Sequence, residues 1–181
     1  MSPRARSRTN PRLKYPPPPN FMPAGRVLAA RLSHDDPPFI TETRSRGSRA
    51  QGRNYEAKVQ RYLVDAYPDA YLPAPWFRYE TSGSRRGHWC QPDGLLFNVR
   101  GGVITIVEVK LSHNSSAWWQ VRHLYEPVVV ACFGSVWRIA AVEVVRWFDP
   151  DAPFPETYCR APDISKVPAG AFGVHIWQGR G

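Results

Sequence analysis

Between Arg49 and Tyr67 the apolar residues Tyr55, Val59, Tyr62, Leu63 and Ala66 recur at the three- and four-residue spacing of a helix face, and Pro68 closes the run. The spacing predicts an amphipathic helix with Glu56 beside its apolar stripe. Beyond it the period shortens to two. "WFRYE" (Trp76 to Glu80) predicts a short strand and "TSGSRRG" a polar loop. Trp89 to Val99 and Val103 to Leu111 predict two longer strands around a glycine turn. A helix over about Ser115 to Phe133 follows, then a strand from Val136 to Phe148, a Pro/Asp-rich loop, and an added C-terminal strand, "AFGVHIW" (Ala171 to Trp177). Helix, three strands, helix, strand is a mixed α/β layout.

Residues 1–48 break this pattern. They hold nine of the 19 prolines, scattered Arg and Ser, and little apolar periodicity, so they cannot bury enough surface to offset the entropy of ordering. The chain therefore divides into a disordered or extended Pro/Arg-rich tail, 1–48, and one domain, 49–181; within the tail "GRVLAARLSH" (Gly25 to His34) has the makings of a short helix or strand packed on the body. Charge follows the same division. Residues 1–53 carry 11 Lys/Arg against 3 Asp/Glu, a net of +8, which leaves only +1 for the remainder. Arg4, Arg6, Arg8, Arg12 and Lys14 are thus candidate contacts to nucleic-acid phosphates, through sequence-independent attraction. No run approaches the roughly 18 apolar residues of a membrane span, and no apolar segment of a signal peptide follows the N-terminal charges. A cytoplasmic protein without a membrane partner is expected. Cys90, Cys132 and Cys159 are widely spaced and form no C-x-x-C pair, so reduced thiols are expected rather than zinc or an iron–sulfur cluster.

Within the domain, "CQPDGLLFNVRGGVITIVEVKLSHN" (Cys90 to Asn114) places Asp93 in one predicted strand and Glu108 and Lys110 in the next, among valines and isoleucines. Side chains alternate across a strand, so Glu108 and Lys110 share a face with Ile104 and Ile106, while Val103, Val107 and Val109 point the other way. A Gly101-Gly102 turn sets Asp93 opposite Lys110; an Arg100-Gly101 turn sets it opposite Glu108. Both registers put the three on one face, at about 5 Å directly or about 7 Å diagonally. Two carboxylates so placed suit a hard cation, Mg²⁺ or Mn²⁺, which polarises a phosphoryl oxygen and activates water; the ammonium orients that water or stabilises developing charge. Singly, each residue has an ordinary explanation, since Pro-Asp-Gly is a turn signal and isolated strand charges are common. The combination is what points to phosphodiester hydrolysis.

"QPDGLLF" and "IVEVKLS", with 14 residues between Asp93 and Glu108, resemble the PD-(D/E)-x-K nuclease superfamily. The resemblance covers roughly Arg49 to Phe148 and implies the restriction-endonuclease-like fold, an α-β-β-β-α-β core. "GRNYEAKVQRYL" is similar to the recombination-nuclease branch, lambda-type exonucleases and Holliday-junction resolvases, and implies Glu56 as a further metal ligand with Asp93 and Glu108. The exonuclease branch carries Gln-x-x-x-Tyr on the next helix. Here Gln120 and Tyr125, in "WWQVRHLYEPVV", are five apart, so Gln120 is expected at the catalytic site with Asp93, Glu108 and Lys110 while Tyr125 points elsewhere. That departure favours an endonuclease over an end-dependent exonuclease. Trp118 and Trp119 are expected to pack the helix on the sheet, His88 and His113 to lie in loops beside the site, and His175 to be structural.

The expected activity is Mg²⁺-dependent DNA hydrolysis in a bacterial or phage DNA-processing or recombination system. The alternatives are an exonuclease of the same superfamily and a catalytically silent nucleic-acid-binding or virion-structural protein. A homo-oligomer and a protein partner for "YPPPPN" in polyproline conformation are both compatible with the sequence.

Overall fold

A computed structural model describes residues 25–33, 37 and 47–179. Arg4, Arg6, Arg8, Arg12 and Lys14 lie outside the described residues, as does "YPPPPN".

The strand order is β1 (Val27–Ser33), β2 (Tyr71–Pro73), β3 (Trp76–Thr81), β4 (Ser84–Cys90), β5 (Gly94–Asn98), β6 (Val103–Ser112), β7 (Arg138–Trp147), β8 (Cys159–Arg160) and β9 (Phe172–Ile176). Helix α1 (Ser48–Ala66) precedes β2; α2 (Ser115–Gln120), a π-helical turn (Val121–Tyr125) and α3 (Glu126–Phe133) run together between β6 and β7. The fold is mixed α/β with two sheets: β1-β3-β4, and β2-β5-β6-β7-β9-β8. β6 and β7 are parallel, and the helical segment supplies the long crossover that a parallel pair requires.

The buried strands β6 and β7 are covered on both faces, which explains their nearly continuous apolar character. On one face Ile104, Ile106, Ile139 and Ala141 join Val121, Leu124, Val128 and Val129 of the crossover helices. On the other, Val107, Val109, Val142 and Val144 join Tyr55, Val59 and Leu63 of α1. The alternation along β6 is borne out, as is the period of α1 at Tyr55, Val59, Tyr62 and Leu63, while Ala66 at its end is exposed. Leu63 and Val59 are completely enclosed, so Leu63→Ala is expected to cost about 2–5 kcal/mol by leaving a cavity under the helix.

The N-terminal half of the sheet differs from expectation. Trp89 to Val99 is not one strand: it stops at Cys90 and resumes at Gly94, because Pro92 has no N–H to donate and pushes Gln91 out of register. The predicted polar loop instead opens β4, which pairs with β3 around the short Ser82–Gly83 turn. β3 belongs to the three-stranded sheet, against β1, and the neighbour of β5 is β2 (Tyr71↔Leu96), which the sequence reading missed. "VLAARLS" is thus a strand of the body. All three cysteines are free thiols. Among the described residues no helix is long and apolar enough to cross a membrane.

Candidate active site

β5 pairs with β6 only from Asn98↔Val103 to Gly94↔Val107, the register of the Arg100-Gly101 alternative. Beyond Val107, β6 continues along β7 as far as Ser112↔Trp147 while its other flank has lost its strand neighbour. Asp93 stands at that break. Its Oδ2 accepts from the Val109 N–H at 2.6 Å, taking the role a strand carbonyl would have had.

The Asp93 backbone is held from several sides. Its carbonyl accepts from the Ala74 N–H at 3.0 Å and from Gln60 Nε2, while the Tyr71 hydroxyl lies 2.9 Å from Gln60 Oε1 and 3.1 Å from the same carbonyl. Ala74 adopts φ +42°, a strained value for a residue with a Cβ, and its carbonyl accepts from Gln91 Nε2 at 2.8 Å. Gly94 is required by contact: a Cβ there would fall 2.1 Å from the Tyr71 hydroxyl oxygen. The Pro-Asp-Gly signal therefore marks a built support for one carboxylate.

Glu108 is 1% exposed; its Oε1 accepts from Lys110 Nζ at 2.5 Å, and its Oε2 is buried without a partner. Lys110 Nζ also donates to Gln120 Oε1 at 3.3 Å. The amide of Gln120 is turned that way because its Nε2 donates to the Tyr125 hydroxyl, which in turn donates to the Gln91 carbonyl at 2.9 Å. The expectation that Tyr125 points away from Gln120 is overturned. Val121–Tyr125 is a π-turn in which the Glu126 N–H bonds to the Val121 carbonyl five residues back, and the wider turn returns Tyr125 to the Gln120 face. Tyr125 is buried, so its role is to hold Gln120 rather than to meet a ligand.

Glu56 lies one helical turn from Gln60 on α1, in the wall of an open pocket with Arg53 and Arg61. It is electrostatically coupled to Asp93, Glu108 and Lys110. It does not join one ligand set with them: among the described residues no three His, Cys, Asp or Glu side chains converge closely enough to hold a metal ion.

Burial raises the pKa of Glu56, Asp93 and Glu108, and for each a neighbouring carboxylate or the ammonium modifies the effect. Asp93 is raised well above the ordinary carboxylate range, by burial, then by Glu108 and Glu56, against the opposing pull of the Val109 N–H and Lys110. For Lys110 burial favours the neutral amine, but Glu108, Asp93 and Glu143 outweigh it and the pKa rises. Lys110 is a fixed cation at neutral pH. The orphaned Glu108 Oε2 and the mutual repulsion of the carboxylates mark a centre short of positive charge, and hard oxygen donors are what Mg²⁺ or Mn²⁺ takes. Asp93 and Glu108 are oxygen donors of the kind such an ion takes.

One residue near this centre was missed. Glu143 on β7 is the register partner of Glu108, and its Oε2 meets His113 Nδ1 at 2.5 Å, both side chains being fully enclosed. A lone glutamate among valines, in "AAVEVVRW", was the available signal. His113 lies in the link after β6, as expected of a loop histidine, but is buried there, whereas His88 is not in a loop but in β4, stacked on Tyr79. His175 is structural, its Nδ1 2.6 Å from the Ala161 carbonyl. Trp118 packs on the core and donates to Glu156 at 2.6 Å, whereas Trp119 stacks on His123.

No family model matches this chain, and neither a curated protein nor a solved structure matches it significantly.

Proposed function

We propose that the chain is a metal-dependent nuclease that hydrolyses phosphodiester bonds in DNA, a member of the PD-(D/E)-x-K superfamily. The observation that carries this reading is Glu108: a fully buried carboxylate with one oxygen on Lys110 and the other without a partner, beside an Asp93 carboxylate fixed at a break in the sheet. Purely structural carboxylates are seldom left half-satisfied, because burial makes the unpaired oxygen costly.

In this reading Asp93 and Glu108 hold Mg²⁺ or Mn²⁺, which when bound supplies Lewis acidity toward the phosphoryl group. Lys110, permanently charged, draws the scissile phosphate and stabilises the charge that develops on it. Gln120 keeps the ammonium aimed, since Tyr125 fixes the orientation of its amide. Glu56 adds negative potential from α1, and the arginines beside it on that helix give the approaching DNA a positive flank. The N-terminal basic cluster adds sequence-independent attraction.

The test is incubation of purified protein with linear and covalently closed duplex DNA in Mg²⁺, Mn²⁺ or EDTA. Cleavage that requires the divalent ion and disappears in Asp93→Asn supports the reading; retained cleavage in a contaminant-free Asp93→Asn preparation defeats it. The five-residue spacing no longer favours the endonucleolytic mode, because the π-turn restores the Gln120–Tyr125 pair. Nicking of the closed circle supports an endonuclease, and degradation confined to linear DNA an exonuclease. A second reading, a nucleic-acid-binding protein without catalysis, is favoured by the absence of a three-carboxylate cluster among the described residues and predicts DNA binding with no cleavage in any ion.

A further inference from the structure

Glu143 is the most completely enclosed charged side chain near the site, 0% exposed, and the chemistry above does not use it. Both of its oxygens are engaged. Oε2 meets His113 Nδ1 at 2.5 Å, and Oε1 accepts the Asn114 N–H at 3.3 Å. These two residues are the link between β6, which carries Glu108 and Lys110, and α2, which carries Gln120.

The link is gripped at each of its parts. The His113 ring stacks on Phe154 and Phe148, with centroids 4.6 and 5.1 Å away, and meets the edge of Tyr158 at 5.0 Å. Its backbone N–H donates to the Trp147 carbonyl at 3.0 Å. Asn114 caps α2, its Oδ1 accepting the Ser116 N–H at 2.9 Å. A carboxylate that bridges consecutive residues of a strand-to-helix link fixes the direction in which the helix departs. Any rotation there would carry Gln120 away from Lys110, only 3.3 Å from it.

We propose that Glu143 is a positioning residue: by bridging His113 and Asn114 it sets α2 against β6, and so keeps Gln120 on Lys110. The effect on catalysis rests on the nuclease reading; the effect on the helix does not. Glu143→Gln preserves the bridge, because its amide oxygen can accept from Asn114 while its amide nitrogen donates to His113 Nδ1, with the ring proton moved to Nε2. Glu143→Ala removes both contacts.

The experiment measures kcat and DNA Kd in Mg²⁺, and amide hydrogen exchange over residues 113–120, at a temperature where circular dichroism shows each variant folded. Glu143→Ala is expected to lower kcat by about 10–100-fold with Kd little changed, as loss of a supporting residue does. It should also speed exchange in α2 by roughly ten-fold or more while β6 stays protected. Glu143→Gln should recover both. Asn114→Ala added to Glu143→Ala should cost less than Asn114→Ala alone, since the two act on one link. Wild-type exchange in Glu143→Ala overturns the proposal, and so does a Gln variant as impaired as the Ala one, which would assign the role to charge. If the wild-type chain cleaves no DNA, the nuclease reading falls and the exchange comparison alone decides the positioning.

Discussion

Lys110 cannot be removed without stranding Glu108. The ammonium is the hydrogen-bonding partner of a carboxylate that is otherwise sealed, so Lys110→Ala leaves an uncompensated buried charge. It is expected to abolish cleavage and to cost up to about 3–5 kcal/mol, less to the extent that Glu108 takes up a proton. Adding Glu108→Gln should return most of the stability and none of the activity, as read by urea unfolding beside a cleavage assay. Asp93 behaves oppositely. Burial, Glu108 and Glu56 raise its pKa, so the folded protein holds that proton more tightly than the unfolded chain does. The stability this gives is complete below the unfolded value of about 3.9 and disappears as pH rises through the raised folded value. Metal-free protein should therefore lose stability with rising pH above that point. Asp93→Asn should flatten this part of the profile and melt higher at pH 7, by about 1 kcal/mol or roughly 2–4 °C, while cutting no DNA. A lower melting temperature for the Asn variant in EDTA would show that the ionised carboxylate stabilises the free protein.

At the scale of elements, the π-turn decides where Gln120 points, and Tyr125 is the anchor. Tyr125→Phe leaves both the Gln120 amide and the Gln91 carbonyl without their partner. It should cost about 1–3 kcal/mol and lower kcat by roughly ten-fold with little change in DNA affinity; an unchanged kcat would show that Gln120 holds its place without the phenol. The sequence disclosed α1, β6 and β7 because apolar period and burial coincide there, and it disclosed Asp93, Glu108 and Lys110 because charges interrupt that period. It did not disclose the division of Ser84–Asn98 between two sheets: Pro92 announced a break, but which strands pair across it depends on contacts between distant segments, such as Tyr71↔Leu96. Nor did spacing reveal the π-turn, since an extra residue in a helix looks like any other. Glu143 was legible by the rule that exposed Glu108 and was passed over because no second charge stood two residues away.

For the whole molecule, the basic cluster and the candidate site are separated along the chain. If Arg4, Arg6, Arg8, Arg12 and Lys14 all reach duplex phosphates, removing residues 1–19 should flatten the slope of log K against log salt by up to about 4.5, at roughly 0.9 per contact. Cleavage at low salt should survive; an unchanged slope would assign the segment to a protein partner. The two sheets, by contrast, share one interior. Phe133 of α3 meets Phe77 of the small sheet at 6.3 Å and Phe97 of the large one at 5.5 Å, and Cys90, buried at the end of β4, lies in the same cluster. Cys90 also directly precedes the segment that delivers Asp93, and burial pushes its thiol well above the ordinary range. With Cys132 and Cys159 replaced by serine, that thiol becomes a clock for the seam: its rate of alkylation counts the moments at which the sheets part. A labelling free energy equal to that of global unfolding would mean that they separate only when the whole chain melts, and a smaller one that the strand leading to Asp93 opens by itself.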